Sequence, residues 1–355
     1  MDTSNLLDKP ASEVTTILAQ KIGIIHSEVK REYFPTEAQY ITEKDAQKDA
    51  EIIASYLRKI GIETFLYPGD ENLVENLKRD KPEMIFNLAD SVKGYEYLSS
   101  AIPGVLEVLG IPYTGSDILG LALSYNKFLL KKLLQQAGIP VPNYQLFNTP
   151  NDQIDINLRF PLISKLNEIH GAVEITEDAV SENEKHLRDR LKFLISTYKQ
   201  PALVEEFIVG KEICAYVLEG LNRKIYLAEK IFTKPEQKFI FATFDDQWKE
   251  GVPNDYGYRY EKFEDMQLKE HVKKAFDVAK MTDYGKFDIR LDISGRFYFI
   301  DANSNPAFGP KELNTAMGNI LDTLYGISFV EILRRLIVNT LKGPLEDFNG
   351  TGETK

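Results

Sequence analysis

Residues 286–306 constrain this chain more than any other stretch. They read Lys-Phe-Asp-Ile-Arg-Leu-Asp-Ile, then Ser294-Gly295, then Arg-Phe-Tyr-Phe-Ile-Asp-Ala-Asn-Ser-Asn-Pro. Two β-rich runs around a Ser-Gly pair are a hairpin signal. With those two residues as the turn, Ile293 pairs with Arg296 and Asp288 falls opposite Asp301. Side chains alternate along a strand, so Asn303 shares the face of Asp301. Opposed side chains stand roughly 4.5–5.5 Å apart at Cβ, where like charges repel. Two carboxylates and a carboxamide become favourable there if a hard divalent cation sits among their oxygens. The alternative is an exposed hairpin whose acids face water. The loop that follows, 303–310, is rich in turn formers and holds Asn303 at a strand end, which shifts the balance toward the cation.

The 355 residues predict two or three domains. With 43% hydrophobic and 27% charged residues, an ordinary globular protein with sizeable cores is expected. The single cysteine, Cys214, excludes an intramolecular disulfide framework and a cysteine-rich zinc site. Its strand-like setting reads as a buried, inert thiol. A net charge of −11 argues against broad binding to a nucleic-acid backbone, yet leaves room for a nucleotide held by a few lysines. The first residues lack an apolar signal core, and no run of eighteen apolar residues exists, so a cytoplasmic protein without a membrane span is expected.

Along the chain, 1–20 form a poorly specified leader and 21–25 a buried strand. A long polar stretch to Lys44 precedes a helix over 45–60, closed by Gly61. Strand 63–67, helix 71–78 and strand 84–88 complete a β-α-β-α-β series, which implies a parallel sheet covered on both faces. Helices follow near Ile118 and over 126–136, the latter stopped by Gly138 and Pro140. Residues 160–165 are a short apolar strand ending in Lys165, 176–199 a charged helical region, and 202–208 a further strand. The remainder to about Leu341 is a mixed α+β region carrying the acidic hairpin, and the tail from Gly343 is polar.

Several separated segments now occur in a telling order. They are Asn87-Leu88, Gly-Ile-Pro-Tyr-Thr-Gly-Ser at 110–116, Ser-Tyr-Asn-Lys at 124–127 and Gly-Ile-Pro-Val-Pro at 138–142. Lys165 comes next, then Val-Glu-Glu-Phe-Ile at 204–208 with Gly210 and Glu212, and finally Asp301-Ala302-Asn303. The ordered set resembles the D-alanine–D-alanine ligases of the ATP-grasp superfamily.

That resemblance implies an α/β and α+β fold of three-domain ATP-grasp architecture with an N-terminal parallel-sheet, Rossmann-like domain. The segments would be 1–120, a small central domain 121–203, a C-terminal domain 204–345 with the metal site, and a tail 346–355. It further implies ATP between the central and C-terminal domains, with Lys127 and Lys165 on its phosphates. Glu205 would accept from the adenine amino group, the backbone of Phe207 and Ile208 would meet the ring edge, and Glu212 would bond the ribose. Asp288, Asp301 and Asn303 become ligands of Mg²⁺ or Mn²⁺. Lys249 reaches the phosphates from a closing loop, where Trp248 is either a lid residue or packing. Lys286 stands in place of an arginine that steadies the tetrahedral intermediate. The reaction implied is ATP-dependent amide or dipeptide formation from a small carboxylate, an amino acid being one choice, and an amine through an acyl phosphate. A homodimer is implied only by the resemblance.

Without the resemblance, Lys127 reads as a solvated helical charge and Glu205-Glu206 as a strand end in water. The sequence also departs from the family. The glycine- and serine-rich loop expected after Lys165 is shortened to Leu-Asn-Glu-Ile-His-Gly at 166–171. His170 is either a compensating donor or, as the favoured reading, an ordinary exposed histidine. Ala89-Asp90 replaces His-Gly, Glu250 stands where a tyrosine is usual, Ala307 replaces glycine, and Lys311-Glu312 falls where a serine is usual. Lys286 supplies charge but not the planar fork of arginine, and Asp301 stands where glutamate is commoner. The alternative function is therefore an ATP-binding ATP-grasp protein whose degenerate phosphate loop supports no turnover.

Overall fold

The computed structural model describes residues 19–220, 222–233, 237–248 and 257–342. Strand β1 (Lys21–His26) is buried after its first residue. The polar stretch that follows is not all loop: it contains helix α1 (Glu37–Glu43), started by Thr36, whose hydroxyl accepts from the amide of Gln39. Helix α2 (Ala46–Lys59) turns Ala50, Ile53, Ala54 and Leu57 inward, the spacing of one helical face. Strand β2 (Glu63–Pro68), helix α3 (Leu73–Asp80) and strand β3 (Met84–Asn87) complete a parallel sheet of order β2-β1-β3. Helix α4 (Ala101–Leu109) ends at Gly110, whose φ of +67° suits a residue without a Cβ. Asp117 caps α5 (Ile118–Ser124), and Asn126 caps α6 (Lys127–Gln136) through its side-chain oxygen and the amide of Leu129.

A second sheet is antiparallel, of order β4-β7-β5-β6. It comprises β4 (Tyr144–Phe147), β5 (Leu162–Leu166), β6 (Val180–Ser181) and β7 (Ala202–Glu206). Helix α7 (Glu184–Tyr198) covers it with Leu187, Leu191 and Leu194. The third sheet is also antiparallel and five-stranded. It holds β8 (Gly210–Leu218), β9 (Lys224–Phe232), β10 (Tyr258–Phe263), β11 (Tyr284–Asp292) and β12 (Phe297–Asn303) in the order β10-β9-β8-β11-β12. Helix α8 (Phe244–Trp248) lies in the β9–β10 connection, α9 (Met266–Val278) precedes β11, and α10 (Phe329–Lys342) ends the described chain.

The five-stranded sheet has two unlike faces. Ile213, Ala215, Leu227, Phe287, Ile289 and Phe299 point to one side and pack with α9 residues Leu268, Val272 and Phe276. On the other face, Cys214, Tyr216 and Tyr284 join a core with α2 and α10 at one end of the sheet. Glu212, Lys230, Arg290, Asp288 and Lys286 share that second face by strand register and leave the apolar core for a polar cleft.

The hairpin reaches the expected pairing by an unexpected route. The amide of Asp292 bonds the carbonyl of Arg296 at 2.9 Å, so the loop is Ile293-Ser294-Gly295, one residue longer than a Ser-Gly turn. The Asp292 carboxylate explains this. It accepts from the amide and hydroxyl of Ser294 and from the amide of Arg296, which wraps the chain around it. Leu291 then pairs with Phe297 and Ile289 with Phe299, but Asp288 still pairs with Asp301. The difference is absorbed by a β-bulge at Ile300. Without it, the alternation carried on from Phe299 would aim Asp301 at the apolar core.

Gly295 has φ +83° and nothing within 4 Å of a Cβ added there, so Gly295→Ala should cost only the left-handed backbone, about 1 kcal/mol. At Gly210 the Cβ would lie 2.0 Å from the Leu291 carbonyl oxygen, and Gly210→Ala should lose several times as much. Urea unfolding of the two variants checks the order, and equal midpoints would contradict it.

Candidate active site

Every site residue expected from the sequence, apart from Lys249, lines one cavity of about 640 Å³ between the second and third sheets and the N-terminal layer. Lys249 and Glu250 lie outside the described residues.

Lys165 is the penultimate residue of β5 and not its last, since the strand runs on to Leu166, which pairs with Ala202. Its ammonium lies 3.1 Å from Glu205 Oε2 and donates to the Ile300 carbonyl at 3.1 Å. Glu205 is fully buried, so the reading of this position as a strand end in water fails. Its other oxygen lies 3.0 Å from the ammonium of Lys131, which also donates to the Phe299 carbonyl at 3.2 Å. Both lysines therefore rest on the carbonyls of the bulge. Burial opposes the charge of each. It holds Lys131 below its ordinary range, whereas Glu205 and Asp301 more than offset it at Lys165 and carry that pKa upward.

Glu212 sits in a cross-strand row, opposite Lys230 on β9 and Arg290 on β11. Lys230 lies 2.6 Å from Oε1 and Arg290 3.1 Å from Oε2. Burial pushes this carboxyl up, but the two cations outweigh it and leave the net pKa lowered. Arg290 also donates to the carbonyls of Ile208 and Ile240 and lies over the Phe207 ring. Phe207 meets Phe239 and Phe241 edge to face, forming an aromatic wall. The Phe207 amide is taken by the Pro161 carbonyl at 2.9 Å, so its carbonyl rather than its N–H is the group left to face a ring edge.

Asp288 and Asp301 are directly opposed, and Asn303 pairs with Lys286 on the same face. The Lys286 ammonium is 2.5 Å from Asp288 Oδ2, and Lys230 is 3.4 Å from Oδ1. Burial raises the Asp301 carboxyl, yet Lys127, Lys165 and Lys286 together draw it well below the usual range. The same opposition, with Lys286 and Lys230 prevailing over burial, lowers Asp288. Both carboxylates are thus held ionised. No cluster of three or more His, Cys, Asp or Glu side chains suited to a metal occurs among the described residues. The donor set here is two carboxylates and a carboxamide.

The short loop after β5 is anchored on every side. Asn167 receives the amides of Lys127 and Phe128, which seats the loop on the N-terminus of α6. Lys127 is buried, not solvated, and its ammonium donates to the Ile169 carbonyl at 2.8 Å. His170 is not an exposed histidine: its amide and Nδ1 both meet the Glu96 carboxylate, Nδ1 at 2.9 Å, and its ring stands edge-on to Tyr125. The Gly171 carbonyl accepts from the indole N–H of Trp248 at 2.8 Å, which makes Trp248 a closing residue of the cleft. Beyond the loop, Asp90 and Glu43 line the same cavity. Asn305 donates to Asp90, and the Ser91 hydroxyl to Glu43 at 2.6 Å. Burial pushes the Glu43 carboxyl up to about 7, against the Ser91 hydrogen bond and with help from Glu96.

Sequence reasoning missed Lys131, Lys230 and Arg290. Lys131 lies one helical turn after Lys127, and Arg290 two residues after Asp288, so both shared a face with residues already singled out. Lys230 had no local signal, because only the β8–β9 register brings it to Glu212.

The family model described as D-ala D-ala ligase C-terminus matches residues 133–338. An uncharacterized protein of Sinorhizobium fredii is 30% identical over 72% of this chain and 78% of its own length. The D-alanine–D-alanine ligase of Carboxydothermus hydrogenoformans is 28% identical over 77% of this chain and 86% of its own. Among solved structures, the Bacillus anthracis D-alanine–D-alanine ligase complexed with ATP superposes with a TM-score of 0.66 at 20% identity, covering 91% of this chain and 98% of that one. The VanG D-Ala:D-Ser ligase of Enterococcus faecalis gives 0.64 at 19%, over 90% and 98%. These structures share the fold. No helix among the described residues is long and apolar enough to cross a membrane.

Removing Glu205 strands two buried lysines, whereas removing Lys131 leaves Glu205 paired with Lys165. Glu205→Ala should therefore destabilise by about 3–5 kcal/mol and Lys131→Met by less. Chemical denaturation measures both, and the reverse order would refute the shared-counter-ion reading. For Glu43 the folded pKa is raised, so its contribution is full at acid pH and lost as pH rises through about 7. Glu43→Gln should accordingly raise the melting temperature at pH above that value relative to wild type and give no such gain near about pH 4. A gain that does not depend on pH would exclude the titration.

Proposed function

This chain belongs to the D-alanine–D-alanine ligase family, and from that premise we propose that it joins a small carboxylate to an amine through an acyl phosphate, with ATP going to ADP and phosphate. Members of the family are ADP-forming ATP-grasp enzymes, and this chain is an ATP-dependent ligase of the three-domain ATP-grasp fold. The substrates are small amino acids or carboxylates and amines of similar size. The observation that carries the proposal is the meeting of Asp288, Asp301 and Asn303 with the buried Lys127, Lys165 and Lys230 and the half-buried Lys286 in one cleft.

The site is built to bring two anions together. Attack of a carboxylate on the γ-phosphate is opposed by their mutual repulsion, and preorganised cations lower that barrier. Lys127 and Lys165 stand at the central-domain wall and Lys286 on the strand face opposite. Glu212, held by Lys230 and Arg290, offers an oriented acceptor beside the aromatic wall of Phe207, which suits a ribose and an adenine ring. Glu205 is committed to two lysines, so its role toward the adenine amino group is shared with keeping those lysines in place. Mg²⁺ fits the donor set, because it takes one or two carboxylates and completes its shell with water and phosphate oxygens. Asp288, Asp301 and Asn303 would hold it, and when bound it neutralises phosphate charge. No side chain need form a covalent intermediate.

The amino-acid half of the cleft differs from the family at Asp90, Ala307, Lys311 and Glu312. The Glu312 carboxylate accepts from the Tyr56 hydroxyl at 3.0 Å and Lys311 leans toward Asp322, so neither presents a free hydroxyl as serine would. This argues for substrates other than a pair of D-alanines. The reading as a binder without turnover is weaker, because the short phosphate loop is fixed from three directions.

Phosphate release from ATP with magnesium, over a panel of D- and L-amino acids and other small carboxylates and amines, tests the proposal. At least one pair should release phosphate, and ATP binding with none active would reject it. With an active pair, Asp301→Asn should lower turnover by at least about 100-fold in a protein still folded by circular dichroism at the assay temperature. Unchanged turnover would remove the metal assignment.

A further inference from the structure

His170 carries an unsatisfied atom. Its Nε2 is buried and has no hydrogen-bond partner among the described residues, although Nδ1 is held 2.9 Å from Glu96 Oε2. The backbone amide of His170 also donates to both oxygens of Glu96, at 3.1 and 2.9 Å, so the carboxylate grips the residue at two points. The Tyr125 ring, edge-on at 4.9 Å between centroids, fixes the imidazole plane. A carboxylate that accepts at Nδ1 places the ring proton there. In neutral imidazole the other nitrogen is then a bare acceptor.

The position of that lone pair matters. His170 lines the same cleft as Lys127, Asp301, Asp90, Glu43 and Asn305. Its ring is held by Glu96 of the N-terminal layer, and the carbonyl of the preceding Ile169 accepts from Lys127, so it stands between that lysine and the N-terminal layer. A buried polar atom with no protein partner costs about 1–3 kcal/mol. Nε2 is covered in this conformation, and a substrate proton that displaces the groups over it would satisfy it.

Resting on the ligase reading above, we infer that Glu96 and His170 form a dyad that removes a proton from the incoming amine. The substrate enters as an ammonium and gives one proton to Nε2. The freed nitrogen lone pair forms the C–N bond at the acyl phosphate carbonyl. The C–O bond to phosphate breaks, the second nitrogen proton departs with the phosphate as hydrogen phosphate, and the imidazolium returns its proton to water. Glu96 is a positioning residue in this scheme, holding the ring and stabilising its charge as the carboxylate does in other carboxylate–histidine pairs. The shortened loop thereby acquires a function: it trades glycines that cradle phosphate for a side chain that acts on the second substrate.

The test separates the two half-reactions. Hydroxylamine is a neutral nucleophile near neutral pH and needs no base to attack an acyl phosphate. Wild type and His170→Asn, whose amide can still donate to Glu96, are assayed with the carboxylate active in the panel, ATP and magnesium. One assay contains the amine substrate and the other hydroxylamine. His170→Asn should lose about 100-fold in amide formation and keep hydroxamate formation close to wild type. Glu96→Gln, which keeps the imidazole, should show a smaller loss confined to the amine reaction. Equal losses in both assays would place His170 at the phosphates and overturn the dyad. Undiminished amide formation would also overturn it. A wild-type protein that makes no hydroxamate from any carboxylate would overturn the ligase reading itself, and the dyad with it.

Discussion

The extra residue in β12, Ile300, decides what the rest of the cleft can be. Strand side chains alternate strictly, so a hairpin that began in the register of Ile289 and Phe299 would bury Asp301 among aromatic rings. The bulge reverses the alternation halfway along the strand. It lets one hairpin supply phenylalanines to the core at its turn end and two carboxylates and a carboxamide to the cleft with its partner strand at the other. The carbonyls around the bulge are not left idle. Lys131 and Lys165 reach across from α6 and β5 to bond them, and Glu205 balances both charges. Strand shape, the contact between the sheets and the charge balance of the cleft are therefore one arrangement, and disturbing any part moves the others.

Much of this was legible in the chain. The β-α-β-α-β series, the strand from 202, which ends at Glu206 and not at Ile208, and the opposition of Asp288 to Asp301 follow from periodicity and turn chemistry alone. The hairpin pairing was read correctly through a partly mistaken turn. Asp292 drew a third residue into the loop, and the bulge at Ile300 restored the count. A bulge leaves no mark in a run such as Phe-Tyr-Phe-Ile-Asp, because each residue favours β structure whichever way it points. Charge partners across strands were the other blind spot. Lys230 looks like any exposed strand lysine until β9 is set beside β8. His170, and Lys127 without the family resemblance, read as solvated for the same reason, since the groups that cover them, Glu96 and the Ile169 carbonyl, lie far away in sequence or belong to the backbone.

The cleft is cationic at one end. Lysines 127, 165, 230 and 286 crowd around the acidic hairpin, whereas burial drives the Glu43 and Asp90 carboxyls toward their neutral forms. An anionic group is drawn to the lysine end of such a field. A chain of net charge −11 can thus hold polyanions, because burial lets a few lysines dominate locally.

The indole of Trp248 reaches across from the third sheet to the loop after β5, and it is the only tryptophan in the chain. Any separation of the two walls would strip that ring of its partner and expose it to water. The protein therefore carries a built-in optical gauge: the colour and intensity of its ultraviolet emission report the width of the opening, with no label attached.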